Sequence, residues 1–466
     1  MTGVVAWGTA LPLWRLDRAM LGTAWDTPAL PGKRTAAGGD QDSLTLAVEA
    51  ALACVGADAS AIDAVFFATT TPPYAEKHGA ATIAAVLDRT DVMTADVTGT
   101  LRAGTTALRA ALDTVRAGTA RTALVVAADC RPAEPASAME QLFGDGAAAI
   151  LIGAEPVARA LGETSLAEDA TGLWRRTGDA YVRSFDAKFE TEYAYARVIE
   201  RACTEAIKAA GLSPDAITRF AAYAPDPRTY TTTARKLGLA QAKDPLFASA
   251  GNLGAAHALV SLCGALDDAK AGEHVLVAAA GEGADALVLE VGDGVERARP
   301  ARTLAADIAD ERVLPTYEQY VRARKLVPWD PAEPPGSTIR YWRDRAQALP
   351  LYGVRCTACG TAQFPANRGC IVCGAMDRME RVRLQRRGTV FTFTLDHLIS
   401  GDYLETPIAR AVVDLDGGGR IFLEVTDCDP DEVTVGMRVD LTFRLMHEGA
   451  EFRNYYWKAR PAREDT

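Results

Sequence analysis

The order of apolar stretches and the spacing of the cysteines predict a duplicated α/β fold followed by a four-cysteine module and a small β-barrel. Three observations carry this prediction. Short apolar strands alternate with alanine-rich helices up to about residue 295. One order of helix, strand, glycine turn and strand occurs twice. Two CxxC pairs then precede five strands of alternating polarity.

In the first half, residues 64–69 (AVFFAT), 122–128 (TALVVAA) and 147–152 (AAAILI) read as buried strands and residues 103–117 as a helix. The second half repeats it. AALDTVRAG (110–118) and GDGAAAILIG (144–153) return as GALDDAKAG (264–272) and GEGADALVLEVG (281–292), and the turn GTLRAGTTAL returns as GNLGAAHALV (251–260). The halves are placed at 1–155 and 156–296, with their two glycine-opened helices facing each other across a cleft.

Residues 297–350 read as a helical, proline-rich linker, in which the charged stretch leads to VPWDPAEPPGS at 327–337. CTACGTAQFPANRGCIVCG lies in a module at 351–380. Each pair closes on a glycine, and two such knuckles set four thiolates, Cys356, Cys359, Cys370 and Cys373, at the corners of a tetrahedron. Structural zinc is the expected ion, with iron in a rubredoxin-like site as the alternative; four thiolates leave no open position for catalysis. Segments 389–395, 408–415, 420–427, 438–445 and 452–458 read as the strands of an OB-type barrel within 381–466.

Composition narrows the partners. A formal net charge of -11 argues against nucleic acid, and no apolar run is long enough to span a bilayer, so a cytoplasmic protein is expected. Cys54, Cys130, Cys203, Cys263 and Cys428 are scattered and read as core filler in a reducing compartment.

The stretches FATTTPPYAEKHGAATIAAVL (67–87), DVTGTLRAGTTAL (96–108), LVVAADCRPAEPASAMEQLFGDGAAAILIG (124–153) and SAGNLGAAHALV (249–260) make residues 1 to about 295 resemble the thiolase fold. Within it they are most similar to 3-hydroxy-3-methylglutaryl-CoA synthases and type III β-ketoacyl synthases. The resemblance implies a five-layered αβαβα architecture, a CoA thioester as substrate and a homodimer. Zinc ribbon plus OB barrel resembles the acyl-CoA-associated domain that partners thiolase-fold enzymes, which implies further assembly with a thiolase-like or hydratase-like subunit.

The resemblance also implies a cysteine nucleophile, a histidine and a glutamate, and this chain has Leu101, Tyr223 and Thr70 at those positions. Asn252 retains the asparagine of a Gly-Asn pair. A Claisen reaction through an acyl-enzyme needs a nucleophile, whereas retro-aldol cleavage of a β-hydroxyacyl-CoA needs an acid or base and donors for the enolate. Tyr223 is the candidate acid or base, Asn252 the candidate donor and His257 a second acid/base group. Tyr74, Glu76, Leu101 and the turn at Gly283 are candidates for holding substrate. A synthase with a substituted residue set, and a non-catalytic scaffold that binds acyl-CoA or an active partner, are the alternatives.

Overall fold

This computed structural model describes residues 1–56, 58–239, 242–327, 336–398, 404, 406–449 and 452–463. Nine strands form one hydrogen-bonded sheet in the order Met93–Val97, Ala64–Ala68, Thr122–Cys130, Asp145–Gly153, Gly3–Ala10, Ala158–Ala167, Gly283–Val291, His274–Ala280, Arg219–Ala222. The halves meet where Gly3 pairs with Arg159 and Val4 with Ala158.

Strand Thr122–Cys130 shows how layers arise from a period of two. Ala123, Val125 and Ala127 face one core with the helices Ala103–Arg116 and His257–Asp267, while Leu124, Val126 and Ala128 face helix Ser43–Val55. Helix Arg197–Ala209 covers strands Ala158–Ala167 and Gly283–Val291 from outside. The five layers of a thiolase-like fold result. The two central helices touch at Gly104, where a Cβ would stand 2.4 Å from the Ala255 carbonyl oxygen.

The duplication is imperfect at the sheet edge. The first half ends on the extra parallel strand Met93–Val97, but residues 244–250 form no strand beside Arg219–Ala222. Their carbonyls are taken elsewhere: Ala248 O and Ala250 O accept from Lys33 N and Thr35 N at 2.9 and 3.0 Å, and Phe247 O from Arg18 Nη2 at 2.8 Å.

The linker packs onto the first half. Arg312–Val313 pairs in parallel with Trp14–Arg15, and Leu314 and Tyr320 share a small core with Trp14, Leu16 and Leu21. Residues 328–335 of the proline-rich stretch lie outside the described residues. Beyond them, Tyr352–Cys356, Ala362–Gln363 and Met379–Arg383 form a three-stranded ribbon. Five strands, Arg387–Asp396, Ile408–Leu415, Arg420–Glu424, Arg438–Gly449 and Phe452–Pro461, form the antiparallel OB-type sheet, and a parallel bridge between Val425 and Ala459 joins its two ends.

The barrel is clamped to helix Ser43–Val55. Asp42 caps that helix through Thr45 N at 2.9 Å and also accepts from Tyr455 OH at 2.7 Å and Arg453 Nη1 at 3.0 Å. Two turns further, Glu49 accepts from Arg460 Nη1 at 2.7 Å and from the Thr442 hydroxyl.

Candidate functional site

Leu101 lies in the turn that opens the first central helix, half-buried against the core. Opposite stands Gly281, at the end of strand His274–Ala280: its Cβ would meet Thr100 Oγ1 at 2.6 Å and Leu101 N at 3.0 Å, so the two turns touch through backbone. Gly283 sits differently. It pairs with Ala167, and its φ of +112° with Leu166 O 2.0 Å from any Cβ makes it a sheet position that only glycine can fill. The residue facing the Leu101 turn is therefore Gly281.

Tyr223 follows strand Arg219–Ala222 and donates its backbone N–H to Ala278 O at 3.0 Å, two residues before the end of the neighbouring strand. Its ring is 3% exposed, edge-on to His257 at 6.1 Å and to Tyr195 at 6.3 Å. The phenol reaches Asn252 and Arg131. Burial raises its pKa above 10 and outweighs the opposing pull of Arg131, so the group is a protonated phenol at neutral pH.

The structure redistributes the roles expected of its neighbours. Asn252 gives Nδ2 to Ala224 O at 2.9 Å and Pro225 O at 3.3 Å, while its Oδ1 accepts from Gly254 N at 3.0 Å. Both amide protons are thus spent on holding the loop after Tyr223. His257, 1% exposed, accepts from Leu253 N at Nδ1 (3.3 Å) and turns Nε2 to Asp244, 3.7 Å away. Burial raises the Asp244 carboxyl, yet the nearby His257 ring and the backbone N–H groups of Leu246 and Phe247 prevail and keep it below the usual range. His257 is a wedge behind Tyr223. Tyr74 and Glu76 lie elsewhere: the Tyr74 hydroxyl accepts from Arg453 N at 2.8 Å on the barrel, and Glu76 is exposed.

Two residues of this site escaped sequence reasoning. Asp129, fully buried, accepts from Thr70 N (2.7 Å), from the hydroxyls of Thr69, Thr70 and Thr71 (3.0, 2.9 and 3.0 Å) and from Ala255 N (2.8 Å). Arg131, 5% exposed, lies over the Phe143 ring at 4.1 Å. The legible signal was a charged pair, Asp129 and Arg131, at the C-terminal end of an apolar strand.

Cys54, Cys130, Cys203 and Cys263 do not replace the missing nucleophile. Burial raises the pKa of Cys54 to about 12 and also lifts Cys130, Cys203 and Cys263.

In the ribbon, Gly360 and Gly374 take φ of +79° and +71° and donate to Cys356 O and Cys370 O, closing the two knuckles. The Sγ atoms of Cys356, Cys359, Cys370 and Cys373 lie within 4.8 Å of one another, with Cys356–Cys373 at 3.7 Å and Cys359–Cys370 at 3.6 Å. A tetrahedral zinc with bonds of about 2.3 Å spaces its sulfurs by about 3.8 Å, so the four thiolates fit that ion.

Over 343 residues the chain is 35% identical to the hydroxymethylglutaryl-CoA synthase of Aeropyrum pernix, covering 70% of this chain and 95% of that protein. The chain belongs to the hydroxymethylglutaryl-CoA synthase family. A second synthase of the family, from Pyrococcus furiosus, is 31% identical over 336 residues, 69% of this chain and 96% of that one. Among solved structures, an HMG-CoA synthase complexed with CoA superposes with a TM-score of 0.63 at 18% identity, covering 72% of this chain and 94% of that one. The 3-oxoacyl-(acyl carrier protein) synthase III, FabH, of Pseudomonas aeruginosa PAO1 gives 0.57 at 22%, covering 63% and 98%. Both show the same thiolase-like fold. The family profile of 3-oxoacyl-(acyl-carrier-protein) synthase III matches residues 95–170. Those of the rubredoxin-like zinc ribbon and the C-terminal OB-fold domain of ChsH2 match 343–377 and 381–444. This HMG-CoA synthase family chain thus carries a zinc ribbon and an OB fold behind its synthase-like body. No helix among the described residues is long and apolar enough to cross a membrane.

Proposed function

We propose that the chain is a cysteine-independent acyl-CoA lyase that cleaves a β-hydroxyacyl-CoA by a retro-aldol reaction. One observation carries this reading: the nucleophile position is the inert Leu101, while strand Arg219–Ala222 runs into a buried, protonated Tyr223. In the reaction the substrate's β-hydroxyl loses its proton and becomes a carbonyl. The Cα–Cβ bond breaks, its electrons pass into the thioester as an enolate, and Cα takes up a proton. Tyr223 gives its phenol proton to Cα as the bond breaks while its oxygen takes the hydroxyl proton in the same concerted step, so the phenol is regenerated and no redox cofactor enters the balance. Asn252 and His257 act through Tyr223, the first by fixing its loop and the second by backing its ring. Zinc, held by Cys356, Cys359, Cys370 and Cys373, serves as a structural ion.

The substrate follows from the family, since a related synthase is solved in complex with CoA. A Claisen synthase working through an acyl-enzyme is the weaker alternative, because Leu101 cannot be acylated and burial makes poor nucleophiles of Cys54, Cys130, Cys203 and Cys263. A scaffold that binds acyl-CoA without turnover draws support from the 3, 1 and 1% exposures of Tyr223, Asn252 and His257. A homodimer, with further assembly with a thiolase-like or hydratase-like subunit, completes the reading. The deciding experiment offers purified protein a panel of β-hydroxyacyl-CoAs and follows acyl-CoA and carbonyl products by mass spectrometry. Cleavage that Tyr223→Phe abolishes while CoA esters still bind supports the lyase; binding with no cleavage of any substrate gives the scaffold instead.

A further inference from the structure

A lyase of this kind must place hydrogen-bond donors where the thioester oxygen becomes an enolate. Asn252 and His257 are the polar neighbours that suggest themselves, but the Asn252 donors are spent and His257 Nε2, itself without a hydrogen-bond partner among the described residues, is turned to the Asp244 carboxylate 3.7 Å away. Both Nδ2 protons of Asn252 go to the carbonyls of Ala224 and Pro225, and the His257 ring is held between Leu253 N and Asp244. Arg131 is in the opposite state. Its Nε and Nη1 have no hydrogen-bond partner among the described residues, although the side chain is 5% exposed and so has almost no water to satisfy it.

The surroundings hold this guanidinium ready. The Phe143 ring lies 4.1 Å beneath it, and the Arg131 stem crosses Gly254, where a Cβ would come within 2.6 Å of Arg131 Cδ and 2.3 Å of Asp129 Oδ2. Asp129 balances the charge through space, yet its carboxylate oxygens are already occupied by Thr69, Thr70, Thr71 and Ala255 N. A buried cation with unmade hydrogen bonds is costly, and an oxygen anion brought by a ligand is what relieves it.

We infer that Arg131 is an anion-holding residue beside Tyr223, donating one of its unmade hydrogen bonds, from Nε–H or Nη1–H, to the enolate oxygen of a CoA thioester. The substrate side of this inference rests on the lyase reading; the anion site itself rests on the side chains. Arg131 supplies the charge and Tyr223 the proton, which divides between two residues the work first assigned to Asn252 and Tyr223.

The test compares binding of S-carboxymethyl-CoA, whose carboxylate mimics the enolate, with neutral S-ethyl-CoA, by calorimetry on wild type, Arg131→Gln and Arg131→Lys. Wild type is expected to prefer the carboxylate by about tenfold or more, Arg131→Gln to lose that preference while binding S-ethyl-CoA normally, and Arg131→Lys to keep part of it. In turnover, Arg131→Gln should lower kcat about 100-fold with KM changed by less than about threefold. A preference and a kcat unchanged in Arg131→Gln would overturn the inference. If wild type cleaves no β-hydroxyacyl-CoA yet loses its anion preference in Arg131→Gln, the lyase reading falls and the anion site stands. Normal binding of S-ethyl-CoA shows that each variant is folded.

Discussion

Tyr223 and Leu101 together decide what chemistry is open to this molecule. Leucine at the mouth of a buried helix leaves the helix dipole with nothing to activate, so incubation with acetyl-CoA should give no acyl-enzyme in the intact-protein mass spectrum. A covalent adduct of acyl mass on the chain would restore the Claisen alternative. Tyr223 makes a pH prediction with a definite sign. Its folded pKa lies above 10 because burial disfavours the phenolate, so the acid form persists throughout pH 6–9 and fails only as pH rises through the folded value. The pH profile of kcat should therefore show no alkaline limb owed to Tyr223 below about pH 10. An acidic limb near neutrality, with kcat rising as pH rises, that disappears in the residual activity of Tyr223→Phe would make it a base instead. These substitutions were plain in the sequence. The exhaustion of the Asn252 donors and the free nitrogens of Arg131 were not, because a residue's spare hydrogen bonds depend on partners scattered from Thr69 to Pro225.

At the scale of elements, the zinc ribbon stands or falls by its metal. Its three strands are short, and Cys359 and Cys373 are exposed, so little apolar burial backs the knuckles. Elemental analysis should find one zinc per chain. Cys356→Ser, or a strong chelator, should lose it and raise amide hydrogen exchange across 352–383, leaving the strand Thr122–Cys130 protected. Iron in place of zinc would identify the rubredoxin-like alternative. The ribbon also touches the first half: Arg383 Nη2 and Arg386 Nη2 both donate to Val86 O, at 3.1 and 3.0 Å, and Tyr352 OH to Asp88. Metal loss is therefore expected to loosen the helix Gly79–Val86 as well. The cysteine spacing alone identified the knuckles, since ligand geometry is local; the docking to Val86 joins residues about 300 positions apart and left no pattern to read.

For the whole molecule, the decisive contact is the barrel on helix Ser43–Val55. Glu49 sits between Arg460 and Arg444. Burial pushes its carboxyl up, but the two guanidinium groups and Thr442 pull it down to about 2 from 4.5. A depressed carboxylate stabilises the fold above its unfolded pKa and loses that contribution as pH falls through the folded value. The barrel should thus detach between about pH 4.5 and 2, read as a separate unfolding transition. Glu49→Gln leaves Arg460 and Arg444 buried and underpaired and should cost about 3 kcal/mol in denaturant unfolding. An unchanged midpoint would show that the seam is held by apolar packing alone. Strand Met93–Val97 ends the sheet with Met93 43% exposed, and light scattering should report a dimer in which this edge is covered.

What the sequence determined by itself was everything carried by short-range pattern. The duplicated α/β halves, the four-cysteine ribbon, the five barrel strands and the loss of a nucleophile at Leu101 each rest on residues that are neighbours in the chain or repeat at a fixed period. Only the tertiary structure decided that Tyr74 serves the barrel seam, that Gly281 rather than Gly283 meets Leu101, that His257 is pinned by Asp244, and that Arg131 has hydrogen bonds to give. The reason is physical. A side chain's chemistry is set by the water it loses and the partners it gains, and both are contributed by segments far apart in sequence.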